Sequence, residues 1–317
     1  MPGSDNHPVE SAPRSQATGR RRRSKVAFGG LIAVSSLLLT GCTPVEKRGY
    51  LPKGVTSLSH EITDFWVSAW VWALAVGVIT WGMMIYCWIR FRRKKTDVGL
   101  PPQVAYHVPI EILFTVVPIF MVAVFFGKTV QMENKMLDTS GTPDVMVNVV
   151  AKQWSWDFNY VNSDVYEAGQ QADMSAPDPE TTIPTLYLPV NKRVEFVLTS
   201  RDVIHSFWVI QFLQKMDVIP GKVNKFDVTP TEIGTYQGKC AELCGAYHSQ
   251  MLFNVKVVSE ADYQKKMNQL KARGNVGFLS NALNRDGSIL EAQDATKFQQ
   301  WLPKGVKGSD IVVEGAK

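Results

Sequence analysis

A chain of 317 residues with 45% hydrophobic residues and a formal net charge of +5 has room for one large domain or two small ones, and its near-zero mean hydropathy argues against a polytopic transporter. The positive charge is not spread over a folded face, as nucleic-acid binding would need. It is bunched at 20–25 and 90–95, each bunch beside a long apolar run, where charges that orient a chain in a membrane belong. The four cysteines form no disulfide framework: Cys42 ends the first apolar run, Cys87 lies within the second, and Cys240 and Cys244 stand close enough together for a disulfide to remain open as a reading.

In chain order, residues 1–19 are rich in Ser, Pro, Gly and charge and are expected to be disordered. Residues 20–42 follow the tripartite plan of a secretory signal, with a basic start, an apolar stretch and the small residues Thr40 and Gly41 before Cys42. Leu39-Thr40-Gly41-Cys42 resembles the lipobox of bacterial lipoproteins, which implies a mature chain that begins at Cys42 and carries lipid there. An ordinary signal or an uncleaved helix are the alternatives. After a linker at 43–64, the run 65–89 has no charged residue and is long enough to cross a hydrocarbon core of about 30 Å. The basic loop 90–107 follows and places that side in the cytoplasm. A second apolar run, 108–128, returns the chain outwards, with Pro109 and Pro118 expected to bend it.

Everything beyond Lys128 is expected outside the cytoplasm. There, short runs rich in β-branched and aromatic residues predict strands at 145–150, 186–190, 194–199, 203–212, 222–228 and 252–258, separated by turn signals such as Pro220-Gly221. The fold class this implies is a membrane α-helical hairpin followed by an all-β sandwich or barrel at 139–259, rather than βαβ units. Residues 260–274 predict a surface helix from the spacing of Tyr263, Met267 and Leu270. No role is assigned to the tail 275–317.

The outer region carries Cys240-Ala241-Glu242-Leu243-Cys244, with His248 and Met251 close behind. Two thiolates, an imidazole and a thioether on one short run make a soft donor set suited to copper, and the spacing requires a single loop to present them. Of the five histidines, only His205 and His248 lie in this region, so a second imidazole must come from His205. A mononuclear blue-copper site uses one Cys, two His and an axial Met. Here there is one Cys more. Two thiolates can bridge two metal ions, each then holding one His and one weak ligand: Met251 for one, the Glu242 backbone carbonyl for the other.

This Cys-x-Glu-x-Cys-x-x-x-His-x-x-Met pattern, with 200–208 (Ser-Arg-Asp-Val-Ile-His-Ser-Phe-Trp) upstream, resembles the copper A centre of cytochrome c oxidase subunit II. The segments 215–221 (Lys-Met-Asp-Val-Ile-Pro-Gly) and 153–160 (Gln-Trp-Ser-Trp-Asp-Phe-Asn-Tyr) and the two-helix hairpin extend the resemblance over about 65–258. It implies a Greek-key cupredoxin domain with a dinuclear copper A ligated by His205, Cys240, Glu242 (through its carbonyl), Cys244, His248 and Met251. It further implies that the Glu242 carboxylate can help hold magnesium at the boundary with subunit I, and that electrons from cytochrome c enter at Trp154 and pass on to the haem and copper oxygen-reducing site of subunit I. Glu111 matches a family glutamate at the mouth of a proton pathway; interfacial snorkelling is the alternative. The implied partners are subunit I, other oxidase subunits, cytochrome c and membrane lipid.

Three rival readings of the cysteine pair are a membrane-tethered copper chaperone, a structural Cys2His2 zinc site and a plain disulfide. None of them calls for Met251 in register. Trp154, Trp156, Phe158 and Tyr160 alternate as on a strand, so that one face of it packs. Asp157, Asp164, Glu167, Asp173, Asp178 and Glu180, with no basic residue among 153–191, are read as a negative patch that steers a basic donor, or as a solvated loop. No Cys-x-x-Cys-His occurs, so no haem is expected on this chain.

Overall fold

Two long helices arise where the sequence leaves the backbone no other partner. In a hydrocarbon environment every N–H and C=O must be satisfied internally, which the helix alone achieves for an isolated apolar run. In the computed structural model, which describes residues 43–279 except 95, 97, 101, 102 and 104, α1 spans Ser59–Arg90 and α2 spans Val108–Met136, both long and apolar enough to cross a membrane. Both outrun their charge-free stretches. The first turns of α1 are polar, with His60 and Asp64 paired at 3.1 Å, and Glu61 pairs with Lys135 in the last turn of α2. Pro109 sits in the first turn of α2, where its missing N–H costs nothing, and α2 continues through Pro118.

Residues 43–50 belong to a separate unit, a helical turn at Pro44–Lys47 closed by a capping box between Thr43 and Glu46. Cys42 and the signal-like segment before it lie outside the described residues.

Among the described residues, the second unit continues as a β-sandwich of ten strands and a helix, the strands being β1 Val145–Lys152, β2 Ser155–Tyr160, β3 Val165–Glu167, β4 Thr185–Pro189, β5 Val194–Ser200, β6 His205–Val209, β7 Gln214–Val218, β8 Asn224–Val228, β9 Gly234–Cys240 and β10 Leu252–Val258. One sheet has the order β3-β2-β1-β5-β8 and the other β4-β10-β9-β6-β7. Each contains one parallel pair, β1 with β5 and β4 with β10, among antiparallel ones. Two mixed five-stranded sheets face to face form a cupredoxin-like sandwich. The alternating apolar residues of the facing strands fill the interior: Trp156, Phe158, Phe196, Phe207, Phe226 and Phe253 are all buried. Phe207 stacks on Phe253 with centroids 4.8 Å apart. Gly238, opposite Phe253 on β9, is obligatory there because a Cβ would collide with that ring.

The structure differs from the single packed face expected of β2: all six of its residues are buried. On the second face, Asp157 is held by Lys152 at 2.7 Å and Arg201 at 2.9 Å. Asn159 is bonded both to Asn148 and to the backbone of Leu279. That cover comes from 275–279, which bridges β3 through Val276 and buries Phe278. The helix α3, Glu260–Ala272, starts at the Ser259 cap. As their spacing predicts, Tyr263, Met267 and Leu270 face the core while most of the helix's other residues stay exposed.

The chain on either side of the hairpin is stitched into the sandwich. Val55 donates to Gln211 and accepts from Thr231, and Ser57 donates to Thr229, so the approach to α1 runs along the domain. At the other end the Gln214 side chain donates to Met136, the last residue of α2.

Candidate metal centre

The soft ligands meet because β6 and β9 are neighbours, with Phe207 opposite Cys240. His205 opens β6, Cys240 closes β9, and the loop 241–251 returns to β10. The base of this loop is cinched by Cys240 N–H to the Met251 carbonyl at 3.0 Å and Ala241 N–H to the Ser206 carbonyl at 3.0 Å. The Trp156 indole N–H also donates to the Met251 carbonyl, at 3.4 Å.

The two sulfurs, Cys240 Sγ and Cys244 Sγ, lie 3.8 Å apart. A disulfide needs about 2.05 Å, so these are free thiols. Two thiolates bound tetrahedrally to one metal at about 2.3 Å would sit about 3.8 Å apart, and the spacing fits shared coordination. The donor atoms of His205, Cys240 and Cys244 lie within 4.8 Å of one another. His205 Nδ1 is 3.8 Å from Cys240 Sγ, and His248 Nδ1 is 3.5 Å from Cys244 Sγ. Met251 Sδ is 3.7 Å from Cys244 Sγ, and the Glu242 carbonyl is 3.2 Å from Cys240 Sγ. All six sequence-predicted ligands are thus brought to one place, with Met251 and His205 fully buried. A thioether is a usual copper ligand and stands outside the Cys, His and carboxylate donors that zinc sites use. The Glu242 side chain is exposed.

The thiols are unequal. Burial alone would raise Cys240, but contact with His205 and its charge bring it down to about 7. Burial, and then the charge of Cys240, push Cys244 up to about 12. One sulfur is therefore poised as a thiolate at neutral pH, and a metal must displace the proton from the other.

His205 is aimed by Asp202, whose carboxylate takes the Nε2 proton at 2.8 Å. That leaves Nδ1 for the sulfurs. Asp202 in turn accepts from the backbone N–H groups of Gln153 at 2.6 Å and Val203 at 2.7 Å. Sequence reasoning missed Asp202 as an orienting group. An acid three residues before the only upstream histidine of the domain was the available signal.

Trp154 is half-buried beside the ligand loop. Its indole N–H donates to the Cys244 carbonyl at 3.2 Å, and the same carbonyl accepts from the Gln153 side chain at 2.8 Å. Glu111 lies elsewhere, in the first turn of α2, where its carboxylate accepts from the His107 backbone N–H at 2.8 Å. Of the six acidic residues read as a patch, Asp157 is buried in its ion pairs and Glu167 is bound to Lys266 at 2.7 Å. Asp164, Asp173, Asp178 and Glu180 are exposed.

Residues 145–258 match the family described as cytochrome C oxidase subunit II, periplasmic domain. The probable cytochrome c oxidase subunit 2 of Streptomyces avermitilis is 44% identical over 290 residues, covering 82% of this chain and 90% of that protein. The cytochrome c oxidase subunit 2 of Mycobacterium tuberculosis is 33% identical, covering 80% and 83%. Among solved structures, the periplasmic domain of subunit II of cytochrome oxidase from Bradyrhizobium japonicum is 28% identical, covering 42% of this chain and 97% of that one, with a TM-score of 0.39. With the ligand set assembled and relatives matched over most of both lengths, the chain belongs to the cytochrome c oxidase subunit II family.

Proposed function

We propose that this chain is the electron-accepting subunit of a terminal oxidase, holding a dinuclear copper A centre on the outer side of the membrane. It takes electrons from cytochrome c and passes them to the haem and copper site of subunit I. The observation that supports this most is the convergence of two free thiols 3.8 Å apart with two imidazoles, a thioether and a backbone carbonyl. His205, Cys240, Cys244, His248, Met251 and the Glu242 carbonyl would hold the metal pair. Bound there, the copper pair would supply one-electron redox chemistry. The protein's part is to keep the geometry fixed, so that little rearranges when the charge changes. The loop is cinched at its base, His205 is locked by Asp202, and Met251 is packed into the core.

Trp154 is proposed as the point at which electrons enter, because its indole joins the half-buried surface to the Cys244 carbonyl through one hydrogen bond. Trp154→Ala is expected to leave copper content unchanged while slowing electron uptake from cytochrome c; uptake at the native rate would remove Trp154 from the path. The hairpin anchors the domain with its basic loop in the cytoplasm, and lipid on Cys42 would add a second anchor, visible as added mass on the mature N-terminus. The Glu242 carboxylate is proposed, by the resemblance alone, to share a magnesium ion with subunit I; metal content of the whole oxidase with Glu242→Ala that keeps its magnesium would rule this out.

By the same resemblance Glu111 is assigned to the mouth of a proton pathway. Its bond to His107 N–H gives it a helix-capping task as well. Glu111→Gln keeps the acceptor but cannot shuttle a proton, so reduced proton pumping with a stable protein is the expected result. Undiminished pumping would leave Glu111 only the cap.

A further inference from the structure

We propose that Tyr247 is a positioning residue for electron uptake, holding the Trp154 indole in register with the ligand loop; this rests on the functional reading above. The Tyr247 ring meets the Trp154 ring edge-on, with centroids 4.8 Å apart and planes at 75°. Tyr247 immediately precedes His248, so the same backbone carries a metal ligand and the brace of the indole. On its other side Trp154 is tied to the Cys244 carbonyl by the indole N–H at 3.2 Å. The rings seat closely because Gly245, at φ +121°, has no side chain: a Cβ there would lie 3.2 Å from Trp154 Cζ2 and 3.1 Å from the Gln153 amide. The ligand loop therefore grips the indole through a carbonyl and through a ring.

Tyr247 is 45% exposed, so the core gains little from it, and its ring contact is with the half-buried tryptophan that bonds the Cys244 carbonyl. Edge-to-face geometry is directional; it adds a ring contact that sets the tilt of an indole already packed against the core and bonded to Cys244. In the step this serves, a ferrous haem of the donor gives up one electron and becomes ferric, the oxidised centre gains that electron, and no bond or proton is exchanged.

The test uses the full chain within the assembled oxidase, comparing Tyr247→Ala and Tyr247→Phe with the wild type. Copper content and the paramagnetic resonance spectrum are measured first; a wild type lacking the dinuclear signal would defeat the functional reading itself, independently of Tyr247. With that signal intact, Tyr247→Ala is expected to lower the electron-transfer rate at saturating cytochrome c by roughly tenfold or more, the scale on which a misplaced group costs rate. Binding of redox-inert zinc-substituted cytochrome c should be unchanged, and Tyr247→Phe should restore the rate. In the copper-free chain, hydrogen exchange of the Trp154 indole N–H should speed up in Tyr247→Ala and not in Tyr247→Phe. Wild-type rate and exchange in Tyr247→Ala, or a loss confined to donor affinity, would overturn the proposal.

Discussion

The Asp202–His205 pair shows how one hydrogen bond ties protonation to metal binding. Burial would lower His205, yet Asp202 and Cys240 outweigh it and hold the imidazole above its ordinary 6.5. Burial would raise Asp202, but His205 and the Gln153 and Val203 N–H groups hold it below 3.8. The raised histidine contributes stability that is complete below the unfolded value of about 6.5 and is lost as pH rises through its folded value. The lowered aspartate contributes above about 3.8, and that contribution is lost as pH falls through its folded value. The copper-free chain therefore has the whole of this pair's stabilisation between about pH 4 and 6.5. Metal binding runs the other way, since Nδ1 must be free of its proton, so copper affinity falls as pH drops through that window. Asp202→Asn is expected to weaken copper binding by about 10- to 100-fold, the usual effect of removing the partner of a ligating histidine. A competitive titration checks this, and unchanged affinity would show that Asp202 does not orient the ring. The six proposed ligands were readable from the sequence because five share one short run and only one further histidine was available. Asp202 was marked only by standing three residues before His205, while Gln153 and Tyr247 were not legible, because each acts through a partner that only the fold brings near.

At the scale of elements, the legible parts were those whose physics is local. The apolar helices and strands such as β5 and β10 announce themselves by length and composition. The weakly marked strands are β7 and β9, which carry Gly, Lys, Gln or Asp and bury only some positions; composition marks no strand there, and their pairing with β6 makes them strands. The full burial of β2 was hidden for a related reason, since its second cover is supplied by residues more than a hundred positions away. The helix α3 carries a further consequence. With Leu270 fully buried and Met267 nearly so, it is part of the sandwich. Leu270→Ala is expected to destabilise the folded chain by about 2–5 kcal/mol. Chemical denaturation followed by tryptophan fluorescence measures this, and a loss below about 0.5 kcal/mol, the range of surface changes, would mean the helix is an appendage.

Over the whole molecule, the sandwich is held to the two apolar helices from two directions, by the 55–57 strap on Gln211 and Thr229 and by Gln214 on the end of α2. Gln211 and Gln214 flank the turn between β6 and β7, at the opposite end of β6 from His205. The basic run lies in the connection between the two helices, while the exposed acids Asp173, Asp178 and Glu180 lie on the loop that reaches the ligand run through Gln171 and Gln250, 2.8 Å apart. All of this depends on what the cysteine loop holds. The most direct test is the copper content and electron paramagnetic resonance spectrum of the purified full chain reconstituted with copper. The account requires two coppers per chain sharing a single unpaired electron, whereas one blue copper, bound zinc in preference to copper, or no metal at all would contradict it.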